Sequence, residues 1–407
     1  MKLDLFGPHF KTNPHPTYAQ LRATQPVYRR DAANGKSIWF VTRYDDVAAL
    51  LRDHARFVKD VRNTLTPVER SAAPITPDLV NQLSNHMLNL DPPDHTRLRT
   101  LVNKAFTAGV VSQLSGRIGS IADTLLDKVQ RQGHMDLIDD FAFPLPITVI
   151  AELLGIPARD RARFRSWSDA FITPSVNLGR GAKKYLKMRR RMEDFTGYLR
   201  QIFVERRAQP RADLISLLLG AEEAGDRLSE EELFSMMSLL IVAGHETAVN
   251  LIGNGVLALL LHPEQQALLQ AQPALIESAV EEILRYEGPV ERATMRFAAE
   301  DVPMADQLIR RGDAVSLVLA AADRDPAHFA APDTFDITRH PNRHLGFGLG
   351  IHYCLGAPLA RLEAKIALTT LLARLPTLRL AASAETLRWR TIPILRGLHH
   401  LPVRWEP

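Results

Sequence analysis

One cysteine, Cys354, serves the whole 407-residue chain, so an intramolecular disulfide is excluded. Charge of one sign is also scarce. Lys and Arg number 50 against 46 Asp and Glu, and a net charge of +4 is too small for a dedicated nucleic-acid binder. No run of uninterrupted apolar residues is long enough to span a membrane. The most apolar stretch, Met236 to Leu261, is broken by His245, Glu246, Asn250 and Asn254. Met1 to Arg30 lacks the apolar core of a signal peptide and carries Pro8, Pro14 and Pro16 among polar residues. These absences predict a cytoplasmic protein with no membrane anchor and no nucleic-acid partner. Repeats and Gly/Ser linkers are missing too, which predicts one domain over residues 1–407.

Several common site signatures fail on single residues. Gly346-x-Gly348-x-Gly350 is not a dinucleotide fingerprint, because Ile351 stands where the last glycine belongs. No bound NAD or flavin is therefore expected. His245-Glu246 begins a zinc-protease motif, but Val249 occupies the place of its second histidine. His399-His400 has no accompanying ligand cluster visible in the sequence. The basic run from Lys183 to Arg191 reads as a solvated helix face.

What is present is a mainly helical pattern with a smaller β portion. Ile38 to Thr42 reads as a strand and Tyr44 to Arg52 as a helix. Further helices are predicted over 91–108, 110–131, 144–154, 159–172, 181–207 and 264–287. The longest begins at Ser229, whose spacing to Glu232 makes a capping box, and stops before Pro263. At 1.5 Å per residue it is about 50 Å long, enough to cross a domain. Beyond about residue 290, short β-like runs (Thr294 to Ala298, Ala314 to Leu319) precede a final helix over Pro358 to Leu375.

The informative segment is Phe347-Gly348-Leu349-Gly350-Ile351-His352-Tyr353-Cys354-Leu355-Gly356. Its glycines permit tight backbone conformations, and its amides can point at a thiolate sulfur, which tunes a bound iron. A lone cysteine is more often a small buried hydrophobe. The flanking pattern overturns that reading, since its chance occurrence is on the order of one in a million. The segment resembles the haem-binding signature of the cytochrome P450 family, with every specified position filled. The resemblance implies haem b (iron protoporphyrin IX) with Cys354 as the proximal iron ligand. It also implies His352 near a propionate, Phe347 beside the sulfur, and Gly348 and Gly356 lining the loop. A thiolate ligand pushes electron density onto haem iron and favours O–O cleavage.

Three more motifs follow in family order. Ala243-Gly244-His245-Glu246-Thr247 places small residues and an acid–alcohol pair on the long helix. Taken alone it is compatible with a buried polar pair bonded to the helix backbone. It is similar to the family's oxygen-activation motif, which assigns oxygen activation to Thr247 and proton delivery to Glu246, with Ala243 and Gly244 leaving room for the cofactor. Glu282 and Arg285 sit three apart on one helical face, ordinarily a weak surface pair. They resemble the Glu-x-x-Arg motif, a buried structural pair. Its usual third partner is replaced here by Thr334, which leaves Arg339 and His328 as candidates. His95 and Arg99, at i and i+4, resemble the propionate-binding helix, and Arg296 matches a further propionate-binding arginine.

The resemblance covers nearly the whole chain and implies the P450 fold, a triangular helical prism with haem held by the long helix and the cysteine loop. It also implies a monooxygenase that hydroxylates or epoxidises an apolar small molecule of terpenoid, steroid, fatty-acid or macrolide class. Molecular oxygen would be consumed, and electrons would come from a ferredoxin or flavodoxin with its reductase. A monomer is expected. Substrate candidates by resemblance are Leu240, Ala243, Val290, Ala293, Thr294 and Ile394, with residues near 172–180 closing the pocket. Two other readings stay open: a peroxide-driven peroxygenase, and a haem-binding sensor or carrier without turnover.

Overall fold

Ile38, Trp39, Phe40 and Val41 are branched or aromatic, fit a pleated surface, and form the strand Ser37–Val41 at the heart of the largest sheet. In this computed structural model that sheet has the order Val27–Asp31, Ser37–Val41, Ala314–Leu317, Arg296–Ala298, Phe57–Val58. Only the pairing of Ser37–Val41 with Ala314–Leu317 is parallel. Asp313 sets that register, accepting from Ser37 N at 3.0 Å and from Trp39 Nε1 at 2.9 Å. The structure describes residues 3–31, 37–72, 85–160, 163–164, 167, 182–223 and 225–406.

The chain divides into two compact units. The first comprises Met1–Ala73, Ser115–Pro144 and Thr247–Pro407. It holds the large sheet, a three-stranded sheet (Arg379–Leu380, Pro402–Arg404, His134–Asp136), and the helices Ser115–Val129, Ile276–Glu287 and Ala357–Arg374. Arg374 ties two of these helices together through Asp127 at 2.6 Å and Asp123 at 3.2 Å. One core cluster joins Trp39, Val41, Leu51, Phe57, Val315, Leu317 and Leu345, which anchors the start of the cysteine loop in packed side chains.

The second unit comprises Pro74–Leu114 and Leu145–Glu246. Its helices include Asp94–Ala105, Ala182–Ala208 and Leu214–Gly220. The buried Arg206 donates to the nearby Asp213 at 2.5 Å and to Gly155 O, 51 residues away, at 2.9 Å.

The long helix, Glu230–Leu261, gives its first half to one unit and its second half to the other. Its capping box forms as expected: Glu232 N donates to Ser229 Oγ, and Ser229 N donates to Glu232 Oε2. By length and composition it could cross a membrane, but 67% of its most apolar window is buried in protein. It is a core helix.

Most element boundaries agree with the sequence reading, and Tyr44–Arg52 matches at both ends. Two do not. The stretch expected as one helix over 264–287 breaks into Pro263–Ala271, a 3-10 turn at Pro273–Leu275, and Ile276–Glu287, because Pro273 has no amide hydrogen to continue the first segment. The expected 110–131 helix is likewise two, Ala108–Gln113 and Ser115–Val129. The helix expected over 159–172 lies largely outside the described residues.

Candidate active site

Backbone hydrogen bonds shape the cysteine loop. Gly348 N donates to Leu345 O (2.7 Å), Tyr353 N to Gly350 O (3.1 Å) and Cys354 N to Phe347 O (3.0 Å). Gly350 has φ +73°, and a Cβ there would lie 2.7 Å from Leu51 O, so only glycine fits. Leu51 O also accepts from Arg296 Nη2 at 3.4 Å. The end of the Tyr44–Arg52 helix thus meets both the loop and Arg296, which is buried at 3% exposure. His352 and Cys354 are half-buried, and Gly356 lies beside the sulfur, its Cβ position 4.0 Å from Sγ.

A clamp that the sequence reading missed braces this loop. Arg361, one turn into the helix after Cys354, donates to Glu281 Oε1 at 2.7 Å and to Tyr353 Oη at 3.3 Å. Its guanidinium carbon lies 4.5 Å from the Phe347 ring centre, a cation–π contact. His344 Nε2 pairs with Glu281 at 2.9 Å. Burial pushes the Glu281 carboxyl up, but these two partners outweigh it and hold the group at about 2. Asp323 Oδ1 accepts from Leu345 N at 2.7 Å, closing the base of the loop, and burial pushes that carboxyl up to about 7.

On the long helix, most residues from Leu233 to Ile252 are buried. Leu240, Val242, Ala243, Gly244 and Thr247 are not, and the spacing of three, four and seven from Leu240 puts Ala243, Gly244 and Thr247 with it on one uncovered stripe. Glu246, at 3% exposure, and the fully buried His245 lie off that stripe. In the second unit, His95 is buried and Arg99 half-buried on the Asp94–Ala105 helix. Arg97, between them, pairs instead with Asp226 at 3.1 Å and with Glu232.

A cytochrome P450 family profile matches residues 163–378. Cytochrome P450 monooxygenase PikC of Streptomyces venezuelae is 46% identical, covering 100% of this chain and 94% of the relative. The chain belongs to the cytochrome P450 family. Vitamin D(3) 25-hydroxylase of Pseudonocardia autotrophica is 45% identical over 99% of this chain and 96% of its own. The structure of the Bacillus subtilis 168 bacillaene polyketide synthase cytochrome P450 PksS superposes with a TM-score of 0.91 at 41% identity, covering 100% of both chains. This P450 is accordingly a haem-dependent monooxygenase with the mainly helical P450 fold, taking a small substrate and external redox partners. Its residues fit haem: a thiol on a glycine-shaped loop, a buried guanidinium suited to a carboxylate-bearing cofactor, and a helix stripe left open beside small side chains.

The Glu-x-x-Arg pair of this P450 is completely buried. Arg285 donates to both Glu282 oxygens (2.7 and 2.8 Å) and to the carbonyls of Asp323, Pro332 and Thr334. Thr334 therefore contributes its backbone, not its side chain. Arg339 completes the network through Glu282 at 3.2 Å, with Asn342 adding a bond at 3.1 Å. His328, the other candidate, stacks on Tyr44 instead, ring centres 3.4 Å apart.

Of the substrate candidates, Leu240 and Ala243 lie on the open stripe, and Val290, Ala293, Thr294 and Ile394 are half-buried. The Thr294 hydroxyl accepts from Lys59 Nζ at 2.7 Å, so it is already engaged. Residues 172–180 lie outside those described. One sequence reading needs correction. His400 does gather possible ligands, Asp136 and Asp139, which come from a segment 260 residues away. The 2.6 Å contact of His400 Nδ1 with Asp136 is explained as an ordinary side-chain hydrogen bond.

Glu363, on the helix after Cys354, is buried, and burial alone pushes its carboxyl up to about 8. Such a group binds its proton more tightly when folded. Stability is therefore full below the ordinary value of 4.5, declines as pH rises towards 8, and is flat above it. Glu363→Gln, uncharged throughout, is expected to match wild type near pH 4.5 and to melt a few degrees higher at pH 8.5. Parallel melting curves at the two pH values check this.

Proposed function

We propose that Cys354 holds the haem iron as thiolate and that His95, Arg99, Arg296 and His352 bind the propionates. Thr247 and Glu246 carry protons to the oxygen site. The observation carrying this reading is the open stripe of Leu240, Ala243, Gly244 and Thr247 in the middle of a mostly buried helix. Bound haem supplies the electron-accepting and oxygen-activating chemistry. The chain's own residues then orient and protonate. Thr247 lies on the uncovered stripe, where its hydroxyl would donate at short range, and the buried Glu246, one residue before it, would re-protonate it through water. Ala243 and Gly244 exclude bulk without filling the space.

The substrate is an apolar molecule of polyketide or secosteroid class. Support comes from Leu240, Val290, Ala293 and Ile394, all apolar, and from relatives named for polyketide biosynthesis and vitamin D(3) hydroxylation. A ferredoxin or flavodoxin with its reductase delivers the electrons, docking on the Cys354 side. Intact Glu246–Thr247 favours this oxygen-dependent route over a peroxide-driven one.

Thr247→Ala tests the proton relay. With vitamin D3 as the first probe, product per electron is expected to fall about tenfold or more, with the thiolate spectrum intact. Unchanged coupling would remove Thr247 from the mechanism.

A further inference from the structure

Val290 and Ile394 belong to two segments that are bonded to each other. Val290 and Leu395 form an antiparallel bridge, Glu291 N donates to Ile394 O (2.9 Å), and Arg396 N donates to Pro289 O (2.9 Å). Behind this pair lies a buried polar cluster, to which the N-terminal helices Pro8–Thr12 and His15–Thr24 contribute Lys11 and Tyr18 and the paired segments contribute Glu291, Arg292 and Arg396. Lys11, with 0% exposure, donates to Glu291 Oε2 at 2.5 Å and to Leu395 O at 3.1 Å. One ammonium thereby grips both segments.

The other members complete the grip. Tyr18 Oη donates to Glu291 Oε1, and burial together with the Glu291 charge pushes its hydroxyl well above the usual range, so it stays a donor. Arg292 Nε donates to Tyr18 Oη at 3.0 Å, and its Nη2 donates to Leu5 O at 2.5 Å. Arg396 Nη1 donates to Lys11 O at 2.6 Å. Burying such groups gains little net stability compared with apolar side chains of similar volume. What this arrangement does supply is fixed direction, since every bond converges on residues 291, 292, 395 and 396.

We infer that Lys11, Glu291 and Tyr18 are positioning residues, a clasp by which the N-terminal segment holds the 290–294 and 394–395 segments at the spacing the substrate meets. The inference rests on the reading above that those segments line the substrate cavity.

The test uses haem-loaded protein and two nitrogen ligands of different reach. Imidazole needs only the iron, whereas 4-phenylimidazole also needs the cavity walls. In Lys11→Met, 4-phenylimidazole is expected to bind about tenfold more weakly, with imidazole affinity unchanged. Amide exchange at Glu291, Arg292 and Arg396 should rise about tenfold. Lys11→Arg, which retains a cation, should recover part of both. Unchanged affinity for 4-phenylimidazole overturns the inference, even if exchange rises, because a merely structural role would loosen amides without moving the ligand ratio. Should Lys11→Met fail to fold, Tyr18→Phe removes one hydroxyl and keeps both charges, with the same readouts. A wild type that binds neither imidazole sinks the haem-site reading instead, a result distinct from a variant that keeps its 4-phenylimidazole affinity.

Discussion

Replacing Cys354 with alanine is expected to abolish the red-shifted Soret band of the reduced, carbon-monoxide-bound protein and to reduce product formation to background. The sulfur is the only thiol in the chain, so no other side chain can supply thiolate ligation. The fold should survive. The loop is held by Cys354 N to Phe347 O, Gly348 N to Leu345 O and the Arg361 clamp, none of which uses the sulfur. Far-ultraviolet circular dichroism should therefore match wild type while the spectrum and activity do not. A Cys354→Ala protein that kept the red-shifted band would falsify the proposed ligation.

Arg285→Ala is expected to give the largest loss of stability, on the order of 3–5 kcal/mol, read by denaturant unfolding. Arg285 spends all of its N–H donors on two carboxylate oxygens and three carbonyls. Alanine would strand those carbonyls and leave Glu282, at 0% exposure, with only Arg339, Asn342 and the Asp336 amide. Lysine should rescue little, because one ammonium cannot reach acceptors spread over a planar fork. Haem retention should fall in parallel. Asp323, whose carbonyl Arg285 holds, also fixes Leu345 N at the base of the cysteine loop. Arg339→Ala should cost less, since its side chain is 10% exposed and Arg285 still neutralises Glu282. Equal losses for the two arginines would contradict this ordering.

The cysteine loop was legible because its chemistry needs particular residue types at short spacing. Glycine at 350 is demanded by φ +73° and by the approach of Leu51 O, and both constraints appear in the sequence as one missing side chain. The long helix was legible for a similar reason: Ser229 and Glu232 satisfy each other's backbone within one turn. The break at Pro273 was less so, since the apolar period continues on both sides of it. Thr334 misled in a different way. Its side chain suggested a lost partner, yet the position contributes a carbonyl that any residue would carry.

What the sequence by itself determined are the local constraints: the glycine-shaped thiol loop, the acid–alcohol pair, the caps, and the apolar periods that make the chain mainly helical. Only tertiary structure decided which partners those residues meet. Arg339 rather than His328 closes on Glu282, Arg361 clamps Phe347, and Lys11 reaches Glu291 across 280 positions. Such contacts depend on the burial that desolvates a charge and on backbone carbonyls that leave no mark on residue identity. They exist only once distant segments have packed.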